Sequence, residues 1–272
     1  TITESAMNNQ IDIEIYVRNG KSWQRFPPFT MWVKSDSIDS YLSYRLIAPS
    51  YVAYENLVIC QRNLSDFEES IIFSNMLTSN EKDGQCINCH SYQNYNPNRM
   101  QFHGRQAHGG TLINYDGNIQ KINLKTDSTI SAGVYPAWHP TAKFIAYSTN
   151  LTGQSFHTRD LQKVEVQDTQ SDLILYDLEN NRVYTVAQDS AEMECFPWWS
   201  PDGKYLYYCS AHYEKKDTTT LEYELIRNYK NIKYSLYRKS FDIQTLKFGP
   251  REMVFDAASM DKSATLPRIS PD

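Results

Sequence analysis

The sequence lacks several features that would assign it to a common functional class. No apolar stretch approaches the roughly 18 residues that a membrane-spanning helix needs. The 27 lysines and arginines are outnumbered by 32 aspartates and glutamates, which gives a net charge of −5, and no basic run occurs. We therefore expect neither a membrane span nor a nucleic-acid partner. The absence of G-x-x-x-x-G-K and G-x-S-x-G argues against a P-loop NTPase and a serine hydrolase, and we expect no enzymatic activity.

Cysteine is also scarce, because the chain has five cysteines in 272 residues. This number is too small for a disulfide-based scaffold. Three of them, Cys60, Cys195 and Cys209, are expected to pack as small apolar groups. Cys195 and Cys209 flank one predicted hairpin and could pair with each other.

The other two cysteines lie in a motif typical of haem attachment. Cys86, Cys89 and His90 form the pattern C-x-x-C-H. In this pattern two thiols add covalently to the haem vinyl groups, and the adjacent imidazole binds the iron. The sequence therefore predicts one c-type haem, held by Cys86 and Cys89 with His90 as the proximal ligand.

Three residues within 18 positions of His90 are candidates for the distal iron ligand: Met100, His103 and His108. We rank His108 first, because two glycines follow it and let the backbone approach a flat ring. His103 is ranked second and Met100 third. Arg105 lies between the histidines and is expected to pair with a haem propionate, since arginine binds carboxylates bidentately.

The same stretch also fits a zinc site. Cys86, Cys89, His103 and His108 have the spacing C-x2-C-x13-H-x4-H. The intervening residues are polar and lack the apolar pair of a zinc finger, and His90 would have no role. A third interpretation has no cofactor, with Cys86 and Cys89 as a disulfide or a free dithiol. Recombinant protein made in a cytoplasm without haem-attachment enzymes is expected to be haem-free in any case.

The composition predicts a mainly β fold. Twenty tyrosines and 13% aromatic residues, with few helical periodicities, favour strands. We assign residues 1–73 to N-terminal strands or degenerate blades, with a short helix within residues 64–80. Residues 74–111 are assigned to a long polar Cys/His loop, and residues 112–272 to repeats.

The C-terminal region is repetitive. Residues 135–148 (YPAWHPTAKFIAYS) align without a gap with residues 196–209 (FPWWSPDGKYLYYC), and a third copy starts near residue 266. The matched prolines Pro140, Pro201 and Pro271 are 61 and 70 positions apart. Removing the polar insertions 151–171 and 212–233 leaves 40 and 48 residues, close to the roughly 40 to 45 of a four-stranded propeller blade.

These repeats, together with LINYDGNIQKINL at residues 112–124, resemble the WD-like propeller repeats of TolB-type periplasmic proteins. The whole chain, with CINCHSYQNYNPNRMQFHGRQAHGGT, further resembles envelope proteins of Gram-negative bacteria that combine such a propeller with one haem-attachment motif. These proteins are often labelled as linked to cytochrome c biosynthesis.

The resemblance implies a TolB-like β-propeller that is exported and is periplasmic or outer-membrane-associated. It further implies a c-type haem used in electron transfer or redox sensing, and an envelope protein or redox partner. A leader or lipid anchor is expected outside this chain. The alternative is a non-enzymatic protein-interaction scaffold, in which the Cys/His loop holds a structural zinc or a disulfide.

Overall fold

The structure is a computed structural model. It describes residues 7–35, 38–47, 57–77, 86–105, 109–156, 159, 161, 164–213 and 221–270. The chain forms two compact units: unit 1 comprises Thr1–Tyr44 and Gln61–Ser70, and unit 2 comprises Arg45–Cys60 and Ile71–Asp272. None of the helices in the described ranges is long and apolar enough to cross a membrane.

The N-terminal strands are short. Unit 1 contains β1 (Gln10–Ile13), β2 (Tyr16–Asn19), β3 (Ser22–Arg25) and β4 (Phe29–Trp32); β1 pairs antiparallel with β4, and β2 with β3. Three further strands form a sheet in chain order: β5 (Tyr41–Leu46), β6 (Val58–Asn63) and β7 (Glu69–Ser74).

The helix predicted within residues 64–80 is wrong over the described residues. Strand β7 covers Glu69–Ser74 in this segment, and a single 3-10 turn follows at Asn75–Leu77. The reason is the consecutive run Ile71-Ile72-Phe73, because β-branched and aromatic side chains fit a pleated sheet better than a helix. Pairing with β6 then stabilises the extended form.

Unit 2 begins its regular part with a four-stranded antiparallel sheet, which we call blade 1. Its strands are β8 (Ile87–Tyr92), β9 (Arg99–Gly104), β10 (Gly110–Tyr115) and β11 (Asn118–Ile122), paired in sequence order. A 3-10 turn at Gln93–Tyr95 connects the first two strands.

Blade 1 corrects the prediction that residues 74–111 form a long polar loop. Strands β8 and β9 lie within this stretch, and β10 begins at its end. In β9 the apolar Met100 and Phe102 alternate with Gln101 and His103, and all four side chains are buried. The alternation in β9 is short and follows the polar segment 93–98 (QNYNPN), and this is why the strand was missed.

Blades 2 and 3 contain the repeats. Blade 2 has β12 (Val134–Trp138), β13 (Phe144–Phe156), β14 (Val164–Asp177) and β15 (Arg182–Ala187). Blade 3 has β16 (Glu192–Trp199), β17 (Tyr205–His212), β18 (Ser235–Asp242), and both β19 (Lys247–Phe248) and β20 (Glu252–Phe255) paired with β18. One parallel bridge, between Ser171 and Met193, joins the two blades. The predicted mainly β propeller architecture, with blades of four antiparallel strands, is confirmed.

The two predicted insertions have different structures. The first, residues 151–171, lengthens the β13–β14 hairpin, whose strands have 13 and 14 residues. The second, residues 212–233, contains the helix α1 (Leu221–Asn228) and a 3-10 turn at Tyr229–Asn231. A last 3-10 turn lies at Ala258–Met260.

Three apolar layers separate successive sheets. Layer 1 lies between β6 and blade 1, layer 2 between blades 1 and 2, and layer 3 between blades 2 and 3. Their buried members include, respectively, Ile59, Ile87, Met100 and Phe102; Ile113, Ile145, Tyr147 and Tyr176; and Leu173, Leu175, Trp199, Leu206, Tyr208 and Phe241. Burying one such side chain contributes about 1.5–3 kcal/mol.

The first strand of blade 2, β12, contacts both β8 and β16, so the first strands form the inner edge of the stack.

Hydrogen bonds between blades reinforce these layers at their turns. Gln93 Nε2 donates to the carbonyl oxygens of His139 (2.7 Å) and Ala142 (2.9 Å) in the next blade. His139 Nε2 in turn lies 3.2 Å from the carbonyl of Gly203 in blade 3. Its Nδ1 accepts the backbone N–H groups of Thr141 and Ala142, so the imidazole is the neutral Nε2–H tautomer, and burial lowers its pKa. His139 is therefore a structural residue.

Candidate functional site

Cys89 and His90 of the Cys/His motif lie on β8, the inner strand of blade 1, at a β-bulge, and Cys86 directly precedes this strand. The register between β8 and β9 shifts between Asn88 and Ser91, and Cys89 within this bulge has a φ of 57°. A non-glycine residue in this left-handed region costs of order 1–3 kcal/mol, which the surrounding structure must offset. The backbone is therefore bent where the second thiol and the imidazole follow each other.

The same bulge recurs in the other blades. The register of β12 with β13 shifts after Val134, and that of β16 with β17 shifts after Cys195. The bulged residues Tyr135 and Phe196 have φ values of 50° and 56°, and Leu266, at the start of the third repeat, has 48°. A proline follows each of these three residues. The pair Cys89-His90 thus occupies, in blade 1, the position of an aromatic or leucine residue followed by proline.

Gln101 on β9 holds the bulge of blade 1 in place through hydrogen bonds. Its Nε2 donates to the carbonyl of Cys89 and to Ser91 Oγ (3.1 Å), and its Oε1 accepts from Tyr147 Oη at 3.4 Å. Its side chain is fully buried. The motif backbone is therefore held by blade 1 itself and, through Tyr147, by blade 2.

Both thiols of the motif are reduced and half-buried. Burial raises the pKa of Cys89; the backbone N–H of Tyr135, which hydrogen-bonds the sulfur, and the charges of Arg105 and Arg45 oppose this. Cys86 packs against layer 1, and its carbonyl accepts the N–H of Arg105 at 2.9 Å. The pKa of Cys89 favours a protonated thiol, which is a weak nucleophile without activation.

The imidazole of His90 is also half-buried. Its ring meets Tyr92 edge to face, with centroids 6.4 Å apart and an interplanar angle of 84°. Two guanidinium groups lie near the motif, because Arg45 Nη1 donates to the carbonyl of Ile87 at 3.5 Å and Arg105 follows β9.

The predicted distal ligands have different environments. Met100 is 8% exposed and packs in layer 1. His103 is 6% exposed and lies on the opposite face of β9, because side chains alternate along a strand. Its Nδ1 is 3.1 Å from Thr111 Oγ1, and burial, helped by the charge of Arg105, lowers its pKa to about 4. His103 is therefore neutral at physiological pH. His108 lies outside the described residues.

Within the described ranges, no three histidine, cysteine, aspartate or glutamate side chains converge to hold a metal ion. The predicted zinc set includes His108, so its full constellation is not described. Sequence reasoning missed Arg45, Gln101 and Tyr135 as neighbours of the motif. An alignment of residues 89–93 with residues 135–139 would have identified Tyr135 as the residue of blade 2 that corresponds to Cys89. The alignment is not obvious, because blade 1 lacks the aromatic-proline pair of the other copies.

Buried polar side chains also lie near the parallel bridge between Ser171 and Met193, where blades 2 and 3 meet. Three buried polar atoms there have no hydrogen-bond partner: Ser171 Oγ, Glu194 Oε2 and Tyr208 Oη. Glu194 is 3% exposed. Burial, followed by the charges of Asp172, Glu192 and Asp189, raises its pKa to about 8. We therefore expect Glu194 to be mostly protonated at neutral pH.

No protein-family model and no curated protein matches this sequence. Solved structures that match include the tricorn protease, with 12% identity over 89% of this chain and 22% of that chain (TM-score 0.43). TolB from Acinetobacter baumannii matches with 10% identity over 90% of this chain and 69% of that chain (TM-score 0.31). An auxiliary nutrient binding protein from Bacteroides thetaiotaomicron matches with 12% identity over 78% and 38% (TM-score 0.40).

The chain spans 22% of the length of the tricorn protease and 38% of the length of the auxiliary nutrient binding protein. At such identities and TM-scores these likenesses carry no argument about function. The fold of this protein is that of a β-propeller, and its function has to be argued from its own residues.

Proposed function

We propose that this chain is an exported propeller protein that carries one c-type haem and acts in electron transfer or redox sensing. The observation that supports this most is the place of the motif. Cys89 and His90 stand at an inner-edge bulge that the other repeats fill with a bulky residue and proline. The blade architecture does not require a thiol and an imidazole there, so these residues are best explained by a ligand.

The donor chemistry of the site fits a haem. Cys86 and Cys89 are free thiols that would form the thioether bonds, and His90 would be the proximal ligand. Arg105 and Arg45 would pair with the propionates, since guanidinium groups bind carboxylates bidentately. When bound, haem supplies one-electron chemistry at a potential that its axial ligands set.

The spacing of the two thiols adds a requirement. Residues three apart on a regular strand are about 10 Å apart, because each residue advances about 3.3 Å. The bulge at Cys89 shortens this distance, and Cys86 precedes β8, which begins at Ile87. We therefore expect attachment at both thiols to rearrange the backbone before Ile87, and attachment at Cys89 alone to require less change.

Among the distal candidates that the structure describes, His103 fits better than Met100. Its imidazole is neutral, and its contact with Thr111 would orient the ring, as outer partners do for metal-bound histidines. Met100 is part of layer 1, and moving it to an iron would open a cavity in the core. His108 stays the first choice from sequence, so the two histidines must be tested against each other.

The test is production of the chain with an export signal in cells that mature c-type cytochromes. We expect a Soret band and haem that stays with the polypeptide after denaturation and acid–acetone extraction. Cys89→Ser should abolish or strongly reduce this covalent haem, whereas the control Cys209→Ser, a free cysteine outside the motif, should retain it. A colourless product with one equivalent of zinc, or with a Cys86–Cys89 disulfide, would instead support the interaction-scaffold alternative.

The distal ligand is tested in the haem-loaded protein. His108→Ala or His103→Ala should convert a low-spin spectrum to high spin and open the iron to carbon monoxide; the variant that does so identifies the ligand. Met100→Leu is the matched control, because leucine preserves the volume that layer 1 needs. Loss of the low-spin spectrum in Met100→Leu alone would overturn the assignment of a histidine.

A further inference from the structure

Two buried cysteines outside the motif face each other across one hairpin. Cys195 on β16 is the direct antiparallel register partner of Cys209 on β17. Both are free and buried, with exposures of 2% and 0%. Directly opposed residues in an antiparallel pair have Cα atoms about 4.5–5.5 Å apart and side chains on the same face. This is within the roughly 4.4–6.8 Å that a disulfide requires.

The fold does not demand thiols at these positions. The pair lies immediately before the bulge of blade 3. At the equivalent register positions, blade 2 has Val134 opposite Ser148, and blade 1 has Asn88 opposite His103. Valine and serine are therefore accommodated in the same backbone geometry, which provides conservative replacements for both cysteines.

We propose that Cys195 and Cys209 form a cross-strand disulfide when the chain folds in the presence of a small-molecule disulfide such as oxidised glutathione. A thiolate of one cysteine attacks the exogenous disulfide, which gives a mixed disulfide and one thiol. The second cysteine then displaces the other half. Overall, two protein S–H groups lose two protons and two electrons, one S–S bond forms, and the reagent is reduced to two thiols.

Burial determines when this exchange takes place. It raises the pKa of Cys209 to about 12, and burial together with the nearby Cys209, Asp168 and Glu194 raises the pKa of Cys195 well above its usual value. The thiolate is the reacting species, so the folded, reduced protein exchanges slowly. We expect fast oxidation while β16 and β17 are still open, and slow oxidation of the native protein.

The experiment uses the full chain, denatured and reduced, and then refolded with either oxidised or reduced glutathione. Native, monodisperse protein is collected, free thiols are alkylated under denaturing conditions, and tryptic peptides are identified by mass spectrometry. Trypsin separates the two cysteines by cutting after Lys204, which gives peptides 183–204 and 205–215. Cys86 and Cys89 remain together in peptide 83–99, and Cys60 is in peptide 46–62, so each pairing has its own mass.

We expect peptides 183–204 and 205–215 to be linked in protein refolded with oxidised glutathione and unlinked after reduction. Reduction should lower the Tm of the wild type by several degrees but not that of Cys209→Ser or Cys195→Val, because only the wild type loses a constraint on its unfolded chain. Both peptides fully alkylated in the oxidised native protein, or Cys195 linked to any other cysteine, would overturn the proposal. The result is independent of haem attachment, which peptide 83–99 reports separately.

Discussion

Replacing Glu194 by glutamine should change how the stability of the protein depends on pH. The side chain of Glu194 is 3% exposed, and its Oε2 has no hydrogen-bond partner. Burial first, and then the charges of Asp172, Glu192 and Asp189, raise its pKa from 4.5 to about 8, although Lys239 opposes this. Glutamine has nearly the same shape and no charge at any pH, so the substitution removes the titration and little else.

The sign and size follow from proton linkage. Between pH 4.5 and pH 8 the folded protein keeps a proton on Glu194 that the unfolded chain releases, so the wild type loses stability as the pH rises. At about 1.4 kcal/mol per pKa unit, this group alone lowers the free energy of unfolding by up to about 4 kcal/mol between pH 5 and pH 9. The variant should match the wild type within about 1 kcal/mol at pH 5 and be about 2–4 kcal/mol more stable at pH 9.

The assay is urea denaturation at several pH values from 5 to 9, followed by tryptophan fluorescence. All other titrating groups are common to both proteins, so the difference between the two curves isolates Glu194. Glu179→Gln is the control, because that side chain is 69% exposed and forms only a surface ion pair with Lys143. Parallel pH profiles for the wild type and Glu194→Gln would refute the reasoning.

Three further predictions concern the blades. The pKa of His103 is lowered to about 4, so its contribution to the free energy of unfolding is complete above pH 6.5 and is lost as the pH falls towards 4. In His103→Gln, denaturation curves should therefore show a smaller loss of stability between pH 6.5 and pH 4. Trp199→Phe removes an Nε1 hydrogen bond of 3.1 Å to blade 2 and should cost about 1–2 kcal/mol in urea unfolding, whereas an unchanged midpoint would contradict this contact. Gly203→Ala should lower the Tm far more than Gly117→Ala. Both glycines have positive φ, but a Cβ would clash with the His139 ring only at Gly203.

The sequence predicted the repeated part of the fold because its signals are local. Strand pairs around a Pro-Asp-Gly turn depend on φ preferences and short hydrogen bonds within a few residues. Gly203 has a φ of 70°, and Ser200 Oγ donates to Asp202 at 2.6 Å. Where His139 replaces the serine, its Nδ1 accepts the turn N–H groups. The same blade structure therefore forms with histidine in place of serine at this turn.

The site was only partly predictable. The C-x-x-C-H spacing identified Cys86, Cys89 and His90 without any structure, because adjacent thiols and imidazole carry their chemistry in any backbone. Arg45 comes close to the motif only through the packing of unit 2, since 42 positions separate it from Ile87. Tyr135 belongs to the next blade, and its contact with Cys89 is likewise a product of stacking.

The sequence by itself determined the class of fold, the start of each repeat and the chemistry of the motif, since these follow from periodicity, turn residues and spacing. Only the tertiary structure decided that the motif lies on an inner strand and not in a loop. The alternation in β9 does not mark a solvent-exposed face, because Gln101 is fully buried and contacts Tyr147 of the neighbouring blade. Such burial depends on partners far away in the sequence, so no local pattern records it.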